Sequence, residues 1–449
     1  MKIKVFLILF SIIFALFATI LHLNVAQKNF HQKNIYQDID SKAYIYHATN
    51  FYNTNSFIEK NGSIPYFSLG YAFFLGFLYK IFGINNAIIT WIQVLIALLS
   101  GFLIFLISKN LFNKKVALIA FAFFSFNAGY LVFSQFILTE IILSFLLVLF
   151  LYLFVLFLNN KKIIFIILSS FSLGVSIIVK PAAIYFIFLI LIFLLIFLQN
   201  TFLYKIKILL LFSTFFYLPI LGYMSFNKIH FDQFSLAPLG NENLYFYLFP
   251  KVLAEKNKTN IKIETEKLGN MLTGSKLKDK SWLPIKNLFI ETFKKDPIIF
   301  VKIWLLNTLK TFLGLFSSNL KVLFNSSSFG LNSDKISFFS KSGTFFEKIN
   351  LYISQGTDSF YIKLIAYFES VWTILRYILC LLAFIFLLLN KKYKLLFFLL
   401  IYIFYFSFIT GHDGCARFRM MFEPVLIILA AYGFERIWES VKKCKTHIS

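Results

Sequence analysis

Charge is what this sequence has least of. Only 14% of its 449 residues are charged and 59% are hydrophobic, whereas a soluble domain carries about 25% charged and roughly 45–50% apolar residues. That deficit excludes an ordinary soluble enzyme. The apolar excess also excludes a disordered chain, whose composition leaves too little surface to bury. A polytopic membrane protein remains. Acids are scarcest, with 20 Asp and Glu against 44 Lys and Arg and a formal net charge of +24. This excess does not make a nucleic-acid binder. The lysines fall in small clusters between long apolar runs, where they report membrane orientation and contact with anionic lipid. Cysteine is rare too: Cys380, Cys415 and Cys444 lie in three separate segments without metal-ligand spacing. Neither a disulfide framework nor a zinc site follows.

What the sequence does contain is apolar runs of membrane-crossing length. The first follows Met1-Lys-Ile-Lys and runs to about Leu23, longer than the roughly 7–15 apolar residues of a signal peptide and without a clean cleavage site. It reads as an uncleaved span. Nine more lie near 88–108, 116–134, 141–158, 163–179, 182–199, 208–224, 368–389, 395–410 and 425–440, giving an all-α polytopic fold of about ten spans, with nine to thirteen as the range. With the N-terminus inside, the inner segments hold Lys2/Lys4, Lys109/Lys114/Lys115, Lys161/Lys162, Lys205/Lys207, Lys391/Lys392/Lys394 and Lys442/Lys443/Lys445. The short outer connections hold only Lys180, Arg417 and Arg419, as the positive-inside rule requires. The expected organisation is a transmembrane catalytic module over 1–224 with a first outer loop at 25–87, an outer-face region of mixed structure at 225–367, and C-terminal spans in 368–449. The segment 298–316 reads as an amphipathic helix in the outer interface, because Lys302 and Lys310 would be costly near a bilayer centre.

Ionisable groups at span ends mark functional sites by default. Asp38 and Asp40 follow the first span, Glu140 opens the fourth, Lys180-Pro181 turns between the fifth and sixth, and His412, Asp413, Arg417 and Arg419 connect the ninth and tenth. On this topology all of them face outward. Arginine sharpens the picture. The chain has only four, Arg376, Arg417, Arg419 and Arg436, and two of them lie in Ala416-Arg-Phe-Arg419. Guanidinium offers phosphate a planar two-pronged contact that lysine cannot copy. Blander readings stand beside this one: headgroup anchoring for the arginines, snorkelling for Lys180, helix capping for Glu140, and ordinary loop carboxylates for Asp38 and Asp40.

The order of motifs resembles a known family. Asp40-Ser-Lys-Ala-Tyr44, Ala48, and Ser63-Ile-Pro-Tyr-Phe-Ser-Leu-Gly-Tyr71 running to Ile81-Phe-Gly83 resemble the opening of the dolichyl-phosphate-mannose protein mannosyltransferases (glycosyltransferase family 39). Those enzymes belong to the C-type fold superfamily, and the bacterial lipid A aminoarabinose transferases are relatives. Asn110 to Ala117, Ser134 to Glu140, Val179-Lys-Pro181 and Gly411 to Pro424 resemble later family phrases, whereas 225–367 matches none. Two departures stand out. An Asp-Glu pair is replaced by Asp38-Ile-Asp40, and Arg-Pro has become Lys180-Pro181.

The resemblance implies juxtamembrane helices in the first outer loop, a polyprenyl-phosphate sugar donor with its tail in the bilayer, and a glycan, lipid or protein acceptor. Transfer would occur on the outer face of a bacterial cytoplasmic membrane, with inversion at the anomeric carbon. It makes Asp40 the general base, with Asp38 the alternative acid. Glu140 would position the acceptor or share a divalent cation with Asp40, the one cofactor the resemblance leaves open. Arg417, Arg419 and Lys180 would hold the donor phosphate, and Tyr44, Tyr66 and His412 would position substrate. Two other classes compete: a lipid-linked sugar transporter or flippase, which calls for ionisable groups near span midplanes and repeats, and an O-antigen polymerase or ligase, which would lack the acid after span one.

Overall fold

The computed structural model describes residues 2–28, 39–57, 67–236, 244–273, 283–324, 347 and 360–448, and no strand occurs among them. Asp38 and Tyr66 lie outside the described residues. The protein is an all-α polytopic membrane protein. Each of the ten apolar runs is helical: α1 (Lys2–Lys28), α4 (Asn86–Leu111), α5 with α6 (Lys114–Ser125, Ala128–Phe133), α7 (Glu140–Asn160), α8 (Ile163–Val179), α9 (Phe186–Phe197), α10 (Phe202–Phe231), and the last three, Phe360–Leu389, Tyr393–Ile409 and Glu423–Ile448. Five helical segments, Ile3–Asn24, Asn86–Leu111, Glu140–Asn160, Phe202–Phe231 and Lys363–Leu389, are long and apolar enough to cross a membrane unaided. Ile163–Val179, Pro181–Phe197 and Tyr393–Ile409 are apolar but shorter.

The run at 116–134, expected as one span, is broken. Asn127 leaves the helical region and its Oδ1 accepts the Tyr130 amide at 3.2 Å, starting the short α6. Asn is among the best residues for satisfying the orphan amides of a new helix start. The chain then turns through Ser134–Thr139 into α7, and carbonyls freed by the turn meet Gln93 of α4, whose Nε2 donates to Ser134 O at 3.1 Å and Phe136 O at 2.7 Å. Gln93 is fully buried, so these bonds remove what would otherwise be a substantial desolvation cost.

Two helices of the first outer loop, α2 (Ile39–Thr54) and α3 (Gly70–Phe82), pack on each other and on the bundle. The Leu69 amide donates to Tyr223 Oη of α10 at 2.7 Å, and Ser68 donates to the Ile178 carbonyl at the end of α8. The described part of 225–367 includes the helices α11 (Phe249–Asn257), α12 (Ile261–Thr273), α13 (Leu283–Lys295), α14 (Pro297–Leu313) and α15 (Ser317–Phe324). On α14, Ile298, Val301, Leu305 and Leu309 form an exposed apolar stripe at helical spacing, while Asn307 and Thr311 are buried.

Candidate active site

Four segments distant in sequence deliver one charged side chain each to a single spot. Asp40 lies in the first turn of α2. Glu140 is the first residue of α7, where its negative charge meets the positive end of the helix dipole. Lys180 follows α8 in an extended conformation, φ −155° and ψ 120°, because Pro181 bars the residue before it from continuing the helix. Arg417 lies in a 3-10 turn, Ala416–Met421, between the last two helices.

Arg417 is the hub. Its Nη1 donates to Asp40 Oδ2 at 2.8 Å, and its Nε lies 3.3 Å from Glu140 Oε1. Lys180 Nζ donates to the same Glu140 oxygen at 3.2 Å. Phe418 floors the group, with Lys180 Nζ 4.7 Å and the Arg417 guanidinium 5.5 Å from its ring centroid. Burial works against the charge on Arg417, yet Glu140 and Asp40 outweigh it and raise its pKa. The cluster is open on one side: Asp40 is 45% exposed, Lys180 24% and Arg417 21%, while Glu140 is 3% exposed. The phenol of Tyr44, one turn along α2, is pushed above its usual pKa by burial and by the charges of Glu140 and Asp40. His412 sits beyond Phe418, ring centroids 5.5 Å apart. Burial lowers its pKa below the usual 6.5 against the opposing contact to the Ile409 carbonyl, which keeps the imidazole neutral.

Arg419, expected beside the donor phosphate, is elsewhere. A 3-10 turn has about three residues per revolution, so side chains two apart are turned about 120° from each other and face different surroundings. Arg419 donates from Nε to Glu423 Oε2 at 3.1 Å and from Nη1 to the carbonyls of Phe312 and Gly314 at 2.6 and 2.8 Å. Glu423 also accepts from Arg376 and, at 2.6 Å, from Asn127. Glu369 accepts the amides of Phe316 and Ser317 at 2.7 and 2.8 Å. Arg376, Arg419 and Glu423 are 2%, 1% and 0% exposed. This second cluster is sealed, with no opening to a substrate. It also puts one charge, Arg376, well inside its helix rather than at a span end, where a carboxylate neutralises it. Sequence reading missed this network and the roles of Phe418 and Gln93; the Pro after Glu423, which marks a helix start, was the one available hint.

The described residues do not complete a metal shell. Among them no group of three or more His, Cys, Asp or Glu side chains converges, and the cation shared by Asp40 and Glu140 is the guanidinium of Arg417.

The 409–414 loop leading to Arg417 is held by the 225–367 region. Trp304 Nε1 donates to Phe408 O at 3.0 Å, Asn307 Nδ2 to Gly411 O at 2.9 Å, and Lys251 Nζ to both Asp413 O at 2.7 Å and Asp413 Oδ1 at 3.1 Å. Gly414 adopts φ +76° against the backbone of Asn307, a conformation and a proximity that only glycine tolerates.

Comparison with known proteins agrees with this architecture. Residues 67–223, from the start of α3 to the middle of α10, match the family model described as dolichyl-phosphate-mannose-protein mannosyltransferase. The oligosaccharyltransferase AglB of Archaeoglobus fulgidus, in complex with an inhibitory peptide and a dolichol-phosphate, superposes with a TM-score of 0.52 at 14% identity over 96% of this chain. The apo form of the Archaeoglobus fulgidus oligosaccharyltransferase gives 0.52 and 14% over 97%. The chain shares the fold of these archaeal proteins. The chain spans about half of those archaeal proteins, 51% and 52% of their lengths. ArnT of Cupriavidus metallidurans, bound to undecaprenyl phosphate, is a more distant likeness, with a TM-score of 0.41 and 12% identity over 93% of this chain and 77% of that one. No curated protein matches the chain.

Proposed function

We propose that the protein transfers one sugar from a polyprenyl-phosphate donor to a hydroxyl of a glycan, lipid or protein acceptor, with inversion, on the outer face of a cytoplasmic membrane. The observation that carries this reading is the 2.8 Å contact between Asp40 and Arg417 beside Lys180 and Glu140. It sets an open carboxylate against two cations at the end of the bundle remote from the lysine-rich connections. In this reading Arg417 and Lys180 take the donor phosphate, each charge-assisted bond contributing roughly 1.5–3 kcal/mol. Phosphate entry competes with Asp40 for Arg417, which frees the carboxylate to accept the proton of the attacking hydroxyl. Glu140 holds the cations in place, Tyr44 and His412 border the acceptor side, and Arg419 has no part in donor binding. The 225–367 helices shape the acceptor side and α14 lies in the interface with its apolar stripe toward lipid. Dolichol- and undecaprenyl-phosphate in the complexes of the similar proteins accord with such a donor.

The test is mass spectrometry of envelope glycolipids and glycoproteins from cells with the gene, without it, and complemented with Asp40→Asn. One sugar modification should vanish on deletion and return with the wild-type gene but not with Asp40→Asn. Restoration by Asp40→Asn removes the base assignment, and an unchanged glycan profile on deletion removes the reading.

A further inference from the structure

At the end of the bundle opposite the charge cluster lies a second polar site, built by the α4–α5 connection, the Leu389–Tyr393 turn and the last helix. It is a cavity of about 130 Å³, lined by Phe112, Asn113, Lys392, Tyr432, Glu435 and Arg436 among others. The stacked rings of Phe112 and Tyr432, centroids 4.2 Å apart, form its apolar wall. Lys392 Nζ lies 5.6 Å from the Phe112 centroid and has no carboxylate partner among the described residues.

Two atoms here are unexplained by the protein alone. Glu435 is 2% exposed. Its Oε1 accepts from Asn113 Nδ2 at 3.2 Å, yet its Oε2 is buried with no donor to accept from, and the Glu439 carboxylate lies beside the group, so the pair concentrates negative charge here. Arg436 donates from Nη1 to Glu439 Oε2 at 3.0 Å, yet its Nε is likewise buried and unpartnered. Buried polar atoms are almost always satisfied by protein, water or a ligand. A site holding one orphan acceptor and one orphan donor, beside an uncompensated lysine, calls for a group that carries both an N–H donor and an anion. The cavity exceeds what a single water requires, and the neighbouring connections carry Lys109, Lys114, Lys115, Lys161 and Lys391, the signature of a headgroup layer.

We propose that this site binds the headgroup of a phosphoethanolamine lipid. The ammonium donates to Glu435 Oε2, and the phosphate accepts from Arg436 Nε and from Lys392. The occupant's chemistry follows from the two orphan atoms and not from the catalytic reading, so either can fail without the other.

The experiment is native mass spectrometry of the full chain released from bilayers that hold equal amounts of phosphatidylethanolamine, phosphatidylcholine and phosphatidylglycerol with identical acyl chains. The wild type should retain phosphatidylethanolamine over phosphatidylcholine, whose quaternary nitrogen has no N–H to donate, and over phosphatidylglycerol, which has no ammonium. Loss of one charge-assisted bond in Glu435→Gln should reduce that preference about tenfold. Lys392→Met should weaken retention of all three, while Lys161→Met, on the same end but outside the cavity, should change nothing. Equal retention of the three lipids by the wild type, which needs no variant to fold, overturns the proposal and leaves water as the occupant. So does an unaltered preference in Glu435→Gln.

Discussion

Arg417 and Arg419 stand two residues apart and live in different worlds. Arg417 joins a cluster with Asp40, Glu140 and Lys180 that is open on one side; Arg419 joins a cluster with Arg376, Glu423 and Glu369 that is closed. Both hold two cations and two carboxylates. What separates them is what else fills the coordination. In the sealed cluster the spare hydrogen bonds go to backbone: Phe312 O, Gly314 O, and the amides of Phe316 and Ser317. Those bonds tie the outer helices to Glu369 of Phe360–Leu389 and to the turn before the last helix, although Arg376 keeps Nε and Nη2 buried without a hydrogen-bond partner, and breaking such a buried set is costly. In the open cluster the charges chiefly face one another, so an incoming anion has something to displace. Charge that is closed off and tied to backbone holds structure, and charge that is exchangeable can bind and react.

That contrast can be broken or sharpened by substitution. The largest effect belongs to Asp40→Asn. Loss of the general base should lower transfer by about 10²–10⁴, with the melting temperature unchanged. Glu423→Gln should do the reverse. Breaking a buried pair leaves charges uncompensated and costs about 3–5 kcal/mol, read as a large drop in thermal stability and yield. The folded fraction should still bind polyprenyl phosphate. A smaller effect follows Arg417→Lys, which keeps the charge but loses the fork. Donor KM should rise or kcat fall by roughly tenfold, the value of one charge-assisted bond. Smallest is Lys180→Arg, which restores the Arg-Pro of the resembled family and should leave activity within about threefold, since the charge beside Glu140 is kept.

The sequence showed most of the architecture because hydrophobic run length and lysine placement are local signals. The ten apolar segments and the helix near 298–316 were legible from such signals, whereas helices in the first outer loop were implied by the resemblance. The break at Asn127 was missed because an apolar run of 19 residues, 116–134, outweighs one capping residue in any window average, although Asn is a strong helix starter. Pairing Arg417 with Arg419 failed for a different reason. Proximity in sequence says nothing of direction, and the 3-10 turn sends the two guanidinium groups apart. The sealed cluster was illegible because Arg376 and Glu423 are 47 positions apart and nothing local marks them as partners. The meeting of Asp40, Glu140, Lys180 and Arg417 depends on four chain segments, and only the order of motifs pointed to it.

The most direct test of the division between exchangeable and structural charge is the affinity of the purified protein for undecaprenyl phosphate, compared between the wild type and Arg417→Met. The account predicts a weakening of about tenfold or more at an unchanged melting temperature. Wild-type affinity in Arg417→Met would contradict it.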